Sequence, residues 1–336
     1  VGSPTAAIAT GASSSPADRP IFARVVLAAA ALALVAAAPA DRFEVVANPQ
    51  PMARLRVKHT DLNVRIALGF DKAVLLNLPA ATKARLKAFP LIGKLPFKST
   101  LMPGGSALIR FNLYDVAISG LPETSMPTVW FDKELADDSD GVISLLAIPA
   151  EHVAVLQPAA PKGGLVYGIS RAGKGDAAMI AAIGGEKVHV ILDVRSPETL
   201  FNGRAAQLLE AAGMFKRTGK VGLWHPFPGS ALPFEHVIPT PGATLLGLPL
   251  FAPAARITEA HAKELDARAK AGTSSADQDD DAITVTATKK KQQPPWVLIG
   301  RDVLDHCSRI ELDRPGVRWA LTCAFPAATA RPISVK

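Results

Sequence analysis

Few residues in this chain carry the spacing of a ready-made reactive site. The clearest pair is Cys307 and Cys323, which lie at equal sequence distance from Pro315 in the turn-forming run Arg314-Pro315-Gly316. Apolar-alternating stretches, Arg309–Asp313 and Val317–Thr322, stand on either side, so the segment reads as a hairpin. Opposed hairpin positions have β-carbons about 4.5–5.5 Å apart, close to a disulfide's span. An exported location permits oxidation, so a structural Cys307–Cys323 disulfide closing the hairpin is expected, two buried free thiols being the other reading. The histidines, at positions 59, 152, 189, 225, 236, 261 and 306, never fall three to five apart, so no helical zinc pair is expected. Asp279-Asp280-Asp281 lacks the glycine and closing glutamate of a calcium loop. Gly168-Ile169-Ser170-Arg171-Ala172 departs from the nucleophile-elbow pattern and reads as a linker, and Gly173-Lys174-Gly175 lacks the phosphate-loop pattern. No metal and no cofactor is expected.

The elements that would position any site occur twice. Arg54–Phe89 reads as strand, turn at His59-Thr60-Asp61, strand Val64–Leu68, loop Gly69-Phe70-Asp71-Lys72, short strand Val74–Asn77 and a helix over Pro79–Lys87. Met179–Gly213 reads the same way: strand, Gly184-Gly185-Glu186-Lys187 turn, strand Val188–Leu192, loop Asp193-Val194-Arg195-Ser196, short strand Thr199–Asn202 and a helix over Gly203–Ala212. Later in each half, Asp140–Leu146 matches Pro295–Leu304 in shape. Ala107–Ile118 is a long strand, whereas the prolines at 226, 228, 233, 239 and 241 mark loop and edge strand. Arg256–Lys270 reads as a helix capped by Thr258.

The chain has 336 residues, 37 Lys+Arg against 30 Asp+Glu, and 49% hydrophobic residues. That excludes a wholly disordered chain and a disulfide-built miniature fold. Apart from Lys289-Lys290-Lys291 the cations are scattered through the sequence, which gives no support for nucleic-acid binding. Arg19 and Arg24 precede the apolar run Val25–Ala38, which is too short to span a bilayer and is followed by Ala38-Pro39-Ala40. Residues 1–40 therefore read as a leader with a signal peptide, a short N-terminal anchor being the other reading. The expected product is periplasmic or secreted, with no membrane span after removal of the leader. Residues 271–293, with their acidic and lysine blocks, read as a disordered surface insertion.

Val297-Leu298-Ile299-Gly300-Arg301-Asp302-Val303-Leu304, followed by the strand Arg309–Asp313, resembles the C-terminal signature of retropepsin-like aspartic proteases. Ile183–Asp193 resembles that family's hairpin leading into its Asp-Thr-Gly loop. The resemblance covers roughly residues 50–325. It implies a mainly β, two-lobed retropepsin/pepsin-like aspartic protease fold with closed β-barrel lobes and short helices. The lobes would span 45–160 and 161–330. It also implies that Asp193 stands at the catalytic position and that the cleft is built by Gly69, Phe70, Val194, Arg195, Ser196, Ile299, Gly300, Arg301 and Asp302.

The motif letters depart from the family. Asp193-Val194-Arg195-Ser196 stands in place of Asp-Thr-Gly-Ala/Ser, and Gly69 stands opposite Asp193 in the first half. Asp71 is the only plausible second carboxylate, two residues further on, whereas the family's chemistry uses two carboxyls sharing a proton. Arg195 is placed to pair with a carboxylate such as Asp71 and lock the cleft, and a catalytic Asp193 competes with the favoured reading of Asp193 as a cap or as the salt-bridge partner of Arg195. The function expected is an exported protein with reduced or lost peptidase activity whose interlobe cleft binds an extended peptide or protein segment. The alternatives are an active aspartic endopeptidase using Asp193 and Asp71, and a purely structural domain. With two lobes in one chain, a monomer is expected.

Overall fold

A computed structural model describes residues 40–70, 72–99, 101–271 and 293–326. Nearly all of the expected leader and of the 271–293 insertion lies outside the described residues, as does Asp71. The described chain is mainly β. Strand β1 (Ala40–Val46) comes first. β2 (Met52–Val57), β3 (Thr60–Ala67), β4 (Val74–Asn77), β5 (Lys94–Lys98), β6 (Ser106–Ile118), β7 (Thr124–Phe131) and β8 (Gly141–Ser144) form one sheet in the order β2-β3-β8-β4-β7-β6-β5. Leu55–Val57 of β2 also pair with Val116–Ile118 of β6, which closes six of these strands into a barrel. β9 (Ala150–Leu156) and β10 (Leu165–Ser170) then lead to the second half.

The second half consists of β11 (Met179–Ile183), β12 (Glu186–Leu192), β13 (Leu200–Phe201), β14 (Phe215–Trp224) and β15 (Leu232–Pro239). A small hairpin follows, β16 (Thr244–Leu245) and β17 (Leu248–Pro249), then β18 (Ala254–Arg256) and β19 (Trp296–Ile299). Its sheet order is β11-β12-β19-β13-β18-β15-β14. Apart from the β16–β17 hairpin, this is the order of the first half strand for strand. The sense of every pairing matches too: the last strand of each half lies parallel to the second and antiparallel to the third. No pairing of β11 with β15 closes the second sheet among the described residues.

A third sheet, β1-β9-β20-β21-β10, joins the halves through β20 (Cys307–Asp313) and β21 (Arg318–Cys323). Its centre is the antiparallel β9–β20 pair, with Val153 opposite Leu312. Fully buried Trp319 donates from Nε1 to Ala177 O (2.8 Å). One connected apolar core runs through both halves and this sheet.

An asparagine stands at the end of the short third strand in each half, Asn77 as its last residue and Asn202 just after it, and only Asn202 also caps the helix that follows. Asn202 Oδ1 accepts from Ala205 N (2.9 Å), capping the helix Gly203–Ala211, and from Trp296 N (3.1 Å); its Nδ2 donates to Pro294 O (2.9 Å). Asn77 Nδ2 donates to Ala136 O (2.6 Å) and Ser139 O (2.9 Å), and Oδ1 accepts from Leu135 N (2.8 Å). Each asparagine therefore ties the third strand to the segment that delivers the last strand.

Three expectations need correction. The helix after β4 is only Leu78–Lys83, because the chain leaves it through Arg85 at φ 51°. The proline-rich stretch holds an interior strand: β15 pairs with both β14 and β18, and Pro233 and Pro239 are confined to its ends, beyond the β18 ladder. Gly168 to Ser170 are no linker but part of β10, paired to β21, so Ser170 does not sit on a strand-to-helix turn. The Thr258 cap is present, its hydroxyl accepting from His261 N (3.2 Å) at the start of the helix Glu259–Lys270.

Cys307 and Cys323 are disulfide-bonded across the β20–β21 hairpin. The strands are out of step by one residue near Asp313 and Arg318, and an irregularity at Ser308 brings the cysteines back into opposition. The bridge closes a loop of sequence separation 16, for which the chain-entropy model gives about 3 kcal/mol. Urea unfolding of a Cys307→Ser/Cys323→Ser variant should show a stability loss of that order; an unchanged midpoint would contradict the bridge's structural role.

Candidate functional site

The connection from β12 to β13 folds over the end of β19, and five hydrogen bonds fix it there. Asp193 N donates to Ile299 O (2.9 Å), Arg301 N to Ser196 O (2.8 Å) and Asp302 N to Pro197 O (3.0 Å). Gly300 N donates to Thr199 Oγ1 (3.2 Å), while that hydroxyl donates to Asp302 Oδ1 (2.8 Å). Gly300 is required: a β-carbon there would overlap the backbone at Glu198 and Thr199. Asp302 Oδ2 accepts from Ala252 N (3.1 Å). The Arg301 side chain points away from the loop to Asp305 (2.9 Å). Ile299 and Val194 are buried in the apolar core.

The first half builds the same crossing with different letters. Ser144 stands where Gly300 stands; its N donates to Ala73 O (3.0 Å) and its Oγ to Phe70 O (2.7 Å). The Phe70 ring packs against Ala67, Ala136 and Val142. Strand register fixes which residues correspond. Ile66 faces Ile143 as Leu192 faces Ile299, and Leu75 faces Val142 as Leu200 faces Leu298. The residue equivalent to Asp193 is therefore Ala67, not Gly69, and the first loop is one residue longer. Gly69 instead abuts the other half: a β-carbon on it would lie 3.0 Å from Leu192 O.

Asp193 is held by its own loop. Its Oδ1 accepts from Arg195 N (2.8 Å) and Arg195 Nε (3.4 Å), and its Oδ2 from Arg195 Nη2 (3.5 Å). Asp193, Arg195 and Ser196 line a cleft of about 560 Å³ with Arg65, Leu135 and Asp137 of the first half and Leu223, Trp224, Phe227 and Phe234 of the second. Arg65 is bound to Asp138, with Asp137 at 4.0 Å. The β14–β15 connection, which lines the cleft through Pro226 to Gly229, meets the β5–β6 connection, Ser230 Oγ donating to Leu101 O (2.8 Å). These are corresponding hairpin tips of the two sheets.

Glu198, also on the cleft wall, was not singled out by the sequence reading, and neither was Arg65; both sit in alternating strand-loop context with no motif to mark them. Burial pushes the Glu198 carboxyl above its ordinary value; His236, at 3.6 Å, opposes this and Asp302 adds to it. Burial also pushes Asp302 up, against the Thr199 hydroxyl and backbone amides that stabilise its charge. Glu198 Oε2 is buried without a hydrogen-bond partner among the described residues. No group of three or more His, Cys, Asp or Glu side chains suited to a metal ion occurs among them.

The chain matches no protein-family model and no curated protein. The arrangement offers a mixed apolar and charged cleft in which Arg65 and Arg195 are already paired with acids, and Asp193 has no carboxylate at the register-equivalent position.

A carboxyl raised by burial binds its proton more tightly in the folded state than in the unfolded one. Folding stability then falls as pH rises from the ordinary carboxyl value through the raised value of Glu198. Denaturant unfolding across a pH series should show that decline, and Glu198→Gln should flatten it. An identical slope in the variant would contradict the assignment.

Proposed function

We propose that this chain has a two-lobed fold of the retropepsin-like kind without a working acid pair, and that its cleft binds an extended peptide or protein segment. The duplicated strand order and the loop crossing at Gly300 support the fold reading. Ala67 at the position equivalent to Asp193, with Asp193 held by Arg195, carries the functional reading. Two carboxyls sharing one proton are the basis of acid–base cleavage of this type, and an alanine supplies none.

The cleft favours a polypeptide ligand. Leu223 and Trp224 lie at the end of β14, the outermost strand of the second sheet, whose far edge has no partner strand among the described residues. An extended segment adds to such an edge through backbone hydrogen bonds and places alternate side chains in the cleft. The disulfide, together with the absence of a helix long and apolar enough to cross a membrane among the described residues, is compatible with an exported protein.

Incubation with a diverse peptide library at acidic pH should yield no new termini by mass spectrometry. Extended peptides should still perturb the intrinsic tryptophan fluorescence, and Leu223→Lys should weaken that binding by about tenfold. Cleavage that disappears in Asp193→Asn would overturn the proposal in favour of an active peptidase. Neither cleavage nor binding would favour a structural role.

A further inference from the structure

Between the helix Leu78–Lys83 and β5 the chain makes a tight, outward turn. Gly93 N donates to Phe89 O (2.9 Å), Phe89 N to Phe111 O (2.9 Å) and Phe111 N to Gly93 O (3.0 Å), so the turn is pinned to β6 of the barrel. Gly93 permits this closure, since a β-carbon there would overlap the Phe89 backbone. The tip is Phe89-Pro90-Leu91-Ile92, and its side chains face solvent: Phe89 is 45%, Leu91 104% and Ile92 56% exposed. Leu91 also adopts φ 66°, a left-handed conformation that disfavours leucine. A fully exposed leucine in unfavourable backbone adds nothing to the core, and a clustered apolar tip of this kind marks a contact with something outside the chain.

Cations surround the tip. Lys87 precedes it and Lys94 and Lys98 follow it. Lys58 Nζ donates to Arg85 O (3.1 Å) and lies 5.6 Å from the centroid of the Tyr114 ring. Tyr114 Oη accepts from Lys87 N (2.7 Å) and donates to Lys87 O (2.9 Å), so Lys58, Arg85 and Lys87 share one wall. None of Lys58, Arg85, Lys87 or Lys94 forms an ion pair with a carboxylate among the described residues. Asp115 and Glu123 border the hollow beside Lys58, so the wall is not purely basic. Lys58, Arg85, Lys87 and Lys94 nonetheless outnumber these two acids around the tip. The Lys58-His59 turn also places both residues at positive φ, 46° and 65°, where the matching hairpin of the second half uses Gly184-Gly185.

We infer that this face docks on an anionic lipid surface, with Leu91 and Ile92 entering the headgroup boundary and the surrounding lysines and Arg85 meeting lipid phosphates. The tip projects instead of forming a groove, and a bilayer interface accepts a projecting apolar group ringed by cations without needing a complementary pocket. Such docking is peripheral and needs no spanning helix.

Co-sedimentation of the full chain with vesicles tests this. Binding should be strong to phosphatidylcholine vesicles containing phosphatidylglycerol, weak to phosphatidylcholine alone, and released by salt. Leu91→Asn, which suits the left-handed backbone, should keep the thermal unfolding midpoint and lose most of the binding. Lys87→Glu and Lys94→Glu should each reduce it about fivefold or more. Absence of binding to anionic vesicles, or wild-type binding by Leu91→Asn, would overturn the assignment. So would a vesicle-free dimer that Leu91→Asn dissolves, which would make a second copy of the chain the occupant.

Discussion

The structure depends on one topological constraint: in each half the last strand of the repeat is inserted between the second and the third. The inserted strand, β8 or β19, pairs parallel to one neighbour and antiparallel to the other. The loop joining those neighbours must therefore cross the end of the inserted strand at backbone contact distance. In the second half the crossing is so close that Gly300 tolerates no side chain, whereas the longer loop of the first half accommodates Ser144 there; it also explains why the loop amides and carbonyls around Asp193 and Ser196 find partners on the next element. The asparagines at 77 and 202 serve the same constraint from the other side by binding the segment that feeds the inserted strand.

Both crossings bring loop residues to the meeting of the two halves, where Gly69 lies against Leu192 and the loop 193–198 forms a cleft wall. The chemistry placed there differs between halves. At register-equivalent positions one side has Asp193 with its own arginine and the other Ala67, Asp71 lying outside the described residues. Charges along the cleft are compensated within each half, Arg195 by Asp193 and Arg65 by Asp138.

Much of this was legible in the sequence because strand-turn-strand periodicity is local. The two repeats, the Gly184-Gly185 turn, the Thr258 cap and the Cys307–Cys323 pair all follow from neighbouring residues. The correspondence of Ala67 with Asp193 was not legible, because it is set by pairing to strands some eighty to a hundred residues away and by a one-residue difference in loop length. Glu198 and Arg65 were missed for the same reason, since their importance comes from burial against distant elements. The proline-rich stretch misled because Pro233 and Pro239 sit at the ends of a strand whose middle is fully paired.

The central claim is that the cleft recognises an extended segment without an acid pair to stabilise a tetrahedral centre. The direct measurement is the affinity of a peptide carrying a tetrahedral hydroxyl in place of one backbone carbonyl, compared with the unmodified peptide of the same sequence. A working acid pair binds such a transition-state mimic about 10²-fold or more tighter. The account predicts equal affinities, and a preference of that size for the hydroxyl peptide, lost in Asp193→Asn, would contradict it.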